Sequence, residues 1–312
     1  MKSQPALALI LLLQIAGPLQ AAAPKTVPVD DAGNAADATG YGAVAYHYRI
    51  GKYEVTNAEY CEFLNAVVKS DPHQLYDGRM AGGHGGIVRS GSSGEFEYRT
   101  KADGDRKPVS YVTWESCARY ANWLSNGGGK GDTETGTYKI VGGSITPTDH
   151  AKLAAGKTTK WAIASENEWY KAAYYDPKKE ASGGYWLYAS PESSAPKCNL
   201  NTRTISAVGS YRGAASACGT FDQNGNLWEY NETMSNGKVG LRGGSYYHND
   251  HDAYLRSSTR YEVLSAKWPN YGFRVVALGS EKVRPAAKSP APAAKPAPAR
   301  RPTTSRSKAT TF

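Results

Sequence analysis

The chain has 312 residues, of which 37 are Lys or Arg and 28 are Asp or Glu, a formal net charge of +9; it is 40% hydrophobic and holds 22 Tyr and 33 Gly. Eight of the basic residues and no acid lie in residues 282–312, so the preceding 281 residues carry 29 basic against 28 acidic groups and are close to neutral. Any attraction to nucleic acid or anionic lipid is thereby confined to the tail, and the aromatic content without sustained heptad periodicity excludes a coiled coil or a wholly disordered chain.

In chain order, Lys2 precedes an apolar run from Ala6 to Ala16, followed by Pro18 and the small residues Ala21 to Ala23. This is the layout of a secretory signal peptide over residues 1–22. The run is shorter than the roughly 20 residues that span a bilayer, a retained anchor is the alternative, and no later stretch reads as membrane-crossing. The expected location is secreted or periplasmic. Residues 23–44 read as an N-terminal linker, 45–279 as one folded domain, and 280–312 as a basic Pro- and Ala-rich tail that buries too little apolar surface to offset its ordering entropy. That tail reads as a solvated spacer or as a tether to an anionic polymer. In an oxidising compartment, Cys61, Cys117, Cys198 and Cys218 are expected to form disulfides, since none stands in a Cys-x-x-Cys pair.

Thr56 with Glu59 forms a capping-box pattern ahead of Tyr60, Cys61, Leu64, Val67 and Val68 at helical spacing. A second amphipathic helix begins near Thr113, with Cys117, Tyr120, Ala121 and Leu124 on one face, and ends at Asn126-Gly127. If these two helices pack together, Cys61 faces Cys117 and Cys198 is left for Cys218; buried free thiols are the alternative. Ser165 with Glu168 predicts a third helix that stops before Asp176-Pro177. Brief β-type runs occur at Val109–Val112 and Phe273–Leu278. The remaining text is rich in Gly, Ser, Asn and Tyr and predicts long loops, which in a compact domain carry function.

The strings Glu54-Val55-Thr56-Asn57, Pro108-Val109, Val112-Thr113-Trp114, Ser165-Glu166 with Glu168-Trp169, Gly225-Asn226-Leu227-Trp228-Glu229, Arg242-Gly243-Gly244-Ser245, Leu255-Arg256-Ser257-Ser258 with Arg260, and Gly272-Phe273-Arg274 stand in one order. Together they resemble the formylglycine-generating enzyme, or sulfatase-modifying factor, family over about residues 45–279. The resemblance implies an α+β, C-type-lectin-like fold with two main helices, short strands and long ordered loops. From chemistry alone, Trp228 reads as a core aromatic and Gly243-Gly244 as a tight backbone passage. Arg242, Arg256, Arg260 and Arg274 read as buried hydrogen-bond hubs, because one guanidinium satisfies several acceptors.

The resemblance also implies a structural calcium held by Asp222, the carbonyls of Gly225 and Leu227, and Glu229, a hard-oxygen set suited to that ion. A second calcium site would begin at Asn199 and Leu200, but its later half has no counterpart here. The family oxidase resembles a copper enzyme with two cysteines between the Arg-Gly-Gly-Ser string and the following Arg. Those slots hold Asp252 and Ser257, and no cysteine follows Cys218. Copper(I) prefers thiolates, which argues against copper and against formylglycine generation by that route. The family's iron-dependent sulfoxide synthases resemble the chain only in the lectin-like half.

One replacement chemistry is offered by His248-Asn249-Asp250-His251-Asp252, which sets imidazoles and carboxylates side by side as possible ligands for zinc or iron(II). Otherwise it is a hydrophilic surface loop. His47, His73, His84 and His150 carry no pattern. No nucleophile elbow, P-loop or dinucleotide fingerprint is present. The resulting expectation is an exported domain that binds a protein, peptide or glycan ligand, with no specific nucleic-acid partner. Its rival is a metal-dependent oxidoreductase using His248, His251 and Asp252, with Ser257 nearby.

Overall fold

The computed structural model describes residues 22–248 and 252–279. Residues 1–21, all but the last of the expected signal segment 1–22, the loop residues 249–251 and the tail from residue 280 lie outside them. The described residues form four α-helices: α1 (Asn57–Val67), α2 (Trp114–Ser125), α3 (His150–Ala154) and α4 (Glu166–Tyr174). The strands are β1 (Thr26–Val29), β2 (Tyr48–Gly51), β3 (Ile87–Ser90), β4 (Glu97–Thr100), β5 (Ile140–Val141), β6 (Ser144–Ile145) and β7 (Lys160–Ile163). After α4 come β8 (Tyr175–Asp176), β9 (Gly184–Tyr185), β10 (Trp228–Ser235), β11 (Lys238–Arg242), β12 (Tyr261–Val263), β13 (Tyr271–Phe273) and β14 (Val275–Leu278).

Local chemistry accounts for the helix starts. Thr56 and Ser165 each cap in both directions, the hydroxyl accepting the amide three residues on while Glu59 or Glu168 reaches back to the cap amide. Thr113 caps α2 through the Ser116 amide. The buried face of α1 meets that of α2 in an aromatic cluster: Phe63 lies 5.5 Å from Tyr120 and 5.4 Å from Trp123 between ring centres, and Tyr120 lies 5.5 Å from Phe273. Edge-on and tilted contacts of this kind add about 0.5–1.5 kcal/mol per pair beyond the area they bury.

Two four-stranded sheets carry the core, in the orders β1-β2-β14-β7 and β12-β11-β10-β13. The first is antiparallel throughout, whereas β13 runs parallel to β10 in the second. The run Phe273–Leu278, expected as one strand, is broken at Arg274, and the break transfers the chain from one sheet to the other. Arg274 is thereby fully buried where the sheets meet. Val109–Val112 is no strand: Thr56 and Pro108 form an isolated bridge, and the Val109 amide donates to the Val55 carbonyl.

Two expectations are corrected. Residues 23–44 are not a linker, because β1 pairs with β2 along its whole length and the Gly42 amide donates to Asn167 Oδ1 at 3.0 Å. The string is too short to show a period, and Pro28 is tolerated because β1 is an edge strand. The disulfides are not formed either: all four cysteines are thiols. Cys218 donates to the Ala172 carbonyl, Cys61 accepts from its helix neighbour Asn65, and Cys198 lies beside Asp222, so these three thiols have separate surroundings. Burial pushes Cys61 up to about 11 and Cys198 up to about 12, and it raises Cys117 and Cys218 as well, which disfavours the thiolate needed for exchange. Titration with Ellman's reagent under non-reducing conditions is expected to find four thiols in denaturant and almost none in the native protein. Fewer than four in denaturant would restore a disulfide.

Candidate functional site

Helix α4 and strand β10 between them supply a buried carboxylate to each of three charged centres. In the first, Glu166 is 4% exposed and accepts from two guanidiniums, Arg242 at 2.7 Å and Arg260 at 2.7 Å. Arg242 also donates to the carbonyls of Ser257 and Thr259 at 2.8 and 3.0 Å, so this hub holds the Ser257–Thr259 segment in place. Tyr41 and Tyr170 lie over the Arg242 guanidinium at 5.0 and 4.8 Å. Gly243 and Gly244, with φ of +101° and +77°, form the tight passage expected of them: a side chain on Gly243 would meet the Gln223 carbonyl and the Trp169 ring.

The second centre gathers Glu54, Asp222 and Glu229 around Arg274. Arg274 donates to both oxygens of Glu229 and to the carbonyls of Gly51 and Phe221. Trp169 Nε1 donates to Glu229 at 2.8 Å. Glu54 accepts from Asn226 Nδ2 at 2.7 Å and from the Leu227 amide at 3.0 Å, and Asp222 accepts the Gly209 amide at 2.7 Å. Burial and the neighbouring Asp222 and Glu229 carboxylates hold Glu54 well above the usual carboxylate range, and burial raises Asp222 to about 6. Three buried carboxylates thus share one buried guanidinium.

The third centre is His150, expected to carry no role, yet buried between two carboxylates: Nδ1 to Glu168 Oε2 at 2.8 Å and Nε2 to Glu232 Oε2 at 2.5 Å. Tyr138 donates to Glu232 at 2.7 Å and Tyr46 to Glu168 at 3.0 Å. Burial opposes charge on the ring, but the Glu168 and Glu232 carboxylates outweigh it and raise His150 to about 10.

The two residues in the family's cysteine slots are set apart by their surroundings. Ser257 is 8% exposed, its amide donates to the Leu187 carbonyl, and it lines a cleft of ≈800 Å³. The far wall of that cleft is Asp31–Ala38 and the near wall Tyr175 and Ser182–Leu187. Aromatic hydroxyls strap the far wall down: Tyr170 donates to Asp37, Tyr175 to Asp31, and Tyr185 to the Ala35 carbonyl. Asp252 is half-exposed and accepts from Tyr188 at 2.6 Å and Arg256 at 3.1 Å. Arg256 is therefore a surface partner, not the buried hub expected, while Arg242, Arg260 and Arg274 are hubs.

The histidine loop does not assemble as a ligand set among the described residues. His248 Nε2 accepts from the Trp228 indole, and the ring stacks on Tyr254 with centres 4.1 Å apart. Burial and then Arg203 hold its pKa below the usual value. His251 lies outside the described residues, and Asp252 is turned to Tyr188 and Arg256.

The residues of the expected calcium donor set, Asp222, Gly225, Leu227 and Glu229, lie near one another around the Gly225–Leu227 turn, but no group of three or more His, Cys, Asp or Glu side chains among the described residues is placed to hold a metal ion, and Glu229 is already shared by Arg274 and Trp169. Asn199, at the start of the second proposed site, acts as a loop clasp: its amide donates to Thr204 and Asn226, and Thr202 donates to its side-chain oxygen. Leu200 adds only a backbone bond to Cys198. Three features were missed in the sequence. Glu54 stood in a quoted string without a role, whereas His150 and the Asp31–Ala38 wall gave no signal, because their partners are remote in the chain.

Comparison with known proteins places these features. A family model described as "Sulfatase-modifying factor enzyme 1-like domain" matches residues 27–278. A curated relative, hercynine oxygenase of Mycolicibacterium smegmatis, is 26% identical over 191 residues, which are 59% of this chain and 36% of that protein. The chain thus spans about a third of that relative's length. Among solved structures, CarF superposes with a TM-score of 0.54 at 19% identity, covering 83% of this chain and 99% of that one. PvdO from Pseudomonas aeruginosa gives 0.47 at 18% identity, covering 82% and 94%. The CarF match supports the α+β fold.

Proposed function

Because the chain belongs to the sulfatase-modifying factor enzyme 1-like family, we propose that it is an exported member which binds a polypeptide segment in the cleft beside Ser257 instead of oxidising one. The observation that carries this reading is that the slot at Ser257 opens into a ≈800 Å³ cleft walled by phenols, carboxylates and backbone, while the companion slot, Asp252, is tied to Tyr188 and Arg256. Without thiols at these two positions there is no soft ligand pair for copper(I). A cleft of this volume is in the usual range of ligand sites, and its tyrosines combine large contact area with few rotatable bonds. Export rests on the leader-like residues 1–22, and the tail serves as spacer or anionic-polymer tether.

In the same reading, a calcium ion is held by Asp222 and the carbonyls of Gly225 and Leu227, with Glu229 shared between it and Arg274. The ion would neutralise the surplus carboxylate and lock the Gly225–Leu227 turn. Removal of calcium by chelator is expected to lower Tm by several degrees, restored by added calcium; an unchanged Tm removes the ion from the account.

The binding reading is tested with a labelled Cys-containing sulfatase peptide and its Cys→Ser counterpart. Both are expected to bind with equal affinity and without oxygen uptake, and Leu187→Asp, at the cleft mouth, to weaken both. The rival oxidoreductase predicts oxygen consumption that Asp252→Ala abolishes. The hercynine oxygenase relative favours that rival on sequence, and the separate engagement of His248 and Asp252 disfavours it.

A further inference from the structure

A second cleft, of ≈530 Å³, lies between Tyr53, just after β2, and the loop Ala207–Arg212, and shares no lining residue with the cleft at Ser257. One wall is aromatic: the rings of Tyr53 and Phe221 are 5.7 Å apart at 37°, with Lys52 Nζ at 5.7 and 5.3 Å from their centres. Gly209 makes the wall possible, since at φ +69° a Cβ would sit 2.7 Å from the Tyr53 ring. Arg106 and Arg212 complete the lining, in which no carboxylate takes part.

The charges here are unlike those elsewhere in the fold. Apart from Arg49 and Arg203, each of the other described arginines is paired with a carboxylate. Arg106 has only the Val208 carbonyl, at 2.9 Å, for one of its five N–H groups, and the side chains of Arg212 and Lys52 make no hydrogen bond or ion pair among the described residues. Asp222 interacts with Arg106 electrostatically but forms no ion pair with it, and its Oδ2 accepts the Gly209 amide. Cations without an ion-pair partner beside a cleft attract a ligand of opposite sign, and guanidinium pairs best with planar or tetrahedral oxyanions. Tyr53 and Phe221 line the cleft and offer apolar surface to whatever carries that anion.

We propose that this cleft binds an anionic sugar, a uronate or a sugar sulfate, with its acid group on Arg106 and Arg212 and its ring against Tyr53 and Phe221. The volume suits one or two sugar units. An adjoining cleft shares Ser210 and Arg212 and adds Lys197, Tyr211 and Glu192, which extends the site for a longer glycan. Glu192 opposes a continuous phosphodiester chain, so alternating charged and neutral rings fit better than nucleic acid. The site is independent of the Ser257 cleft and stands if the polypeptide reading fails.

Calorimetric titration of the full chain at fixed ionic strength tests it, with digalacturonate, a sulfated disaccharide, neutral cellobiose and an oligothymidylate. Both anionic sugars are expected to bind at least about ten-fold more tightly than cellobiose, and Arg212→Ser to weaken them about ten-fold, the loss of a charge-assisted contact. Arg212 is exposed and unpaired, so Tm should not change and misfolding cannot imitate the effect. Arg106→Ser should act in the same direction, whereas Leu187→Asp, at the other cleft, should not. Equal binding of cellobiose, unaltered affinity in Arg212→Ser, or oligothymidylate binding with the same dependence on Arg212 would each overturn the proposal. The basic tail is common to all variants and cancels.

Discussion

Arg274→Ala is expected to destabilise the domain by roughly 3–5 kcal/mol, the cost of breaking a buried ion pair from one side, which for a domain of this size lowers Tm by about 10 °C. The guanidinium is fully buried and is the cation shared by Glu229, Glu54 and Asp222. Removing it also strands the carbonyls of Gly51 and Phe221. Because Arg274 sits where the chain crosses from β13 to β14, the loss should loosen the contact between the two sheets. Thermal unfolding followed by circular dichroism checks the magnitude. Adding Glu229→Gln to the variant removes one uncompensated charge and is expected to recover part of the loss. If Arg274→Ala alone leaves Tm unchanged, the shared-cation account is wrong.

The second large effect is at His150. Its imidazolium bridges Glu168 and Glu232, and the raised pKa of about 10 makes its contribution dependent on pH. A group raised on folding stabilises fully below its unfolded value, about 6.5 for histidine, and that stability is lost as pH rises through the folded value. Glu168 has the opposite sign: burial opposes its ionisation, but His150 and the Ser165 cap hold it below the usual range, so its contribution is lost as pH falls through that depressed value. The urea midpoint of the wild type should therefore decline between pH 7 and pH 10. His150→Gln should be less stable at pH 7 by roughly 3 kcal/mol or more, since two buried carboxylates lose their cation, and its decline toward pH 10 should be much shallower. Parallel declines in the two proteins would take His150 out of the alkaline transition.

Much of the framework was legible from short-range chemistry. Thr56 with Glu59 and Ser165 with Glu168 place the starts of α1 and α4 because a capping box is complete within four residues. Arg242, Arg260 and Arg274 were readable as hubs from the nature of guanidinium, and Gly243-Gly244 as a passage from glycine's access to positive φ. Readings that required distant partners fared worse. Arg256 has the same chemistry as the other hubs but lies at the surface beside Asp252. Cys61 and Cys117 were placed on helix faces that do pack together, yet helical spacing gives a face and not a sulfur position: both are free thiols, and Cys61 accepts from Asn65 on its own helix.

The sequence by itself determined the family, the helix starts and the segregation of basic charge into residues 282–312, because each depends on residue order or on neighbours within a few positions. Tertiary structure alone decided which charges meet. His150 joins Glu232 across 82 residues and Asn226 joins Glu54 across 172. It also turned residues 23–44 from a connector into an edge strand and a cleft wall, and left Arg106 and Arg212 without an ion-pair partner among the described residues. Electrostatic pairing acts over ångströms in space, with no fixed interval along the chain, so the near-neutral charge of the body concealed buried ion centres and one cleft lined by arginines without ion pairs.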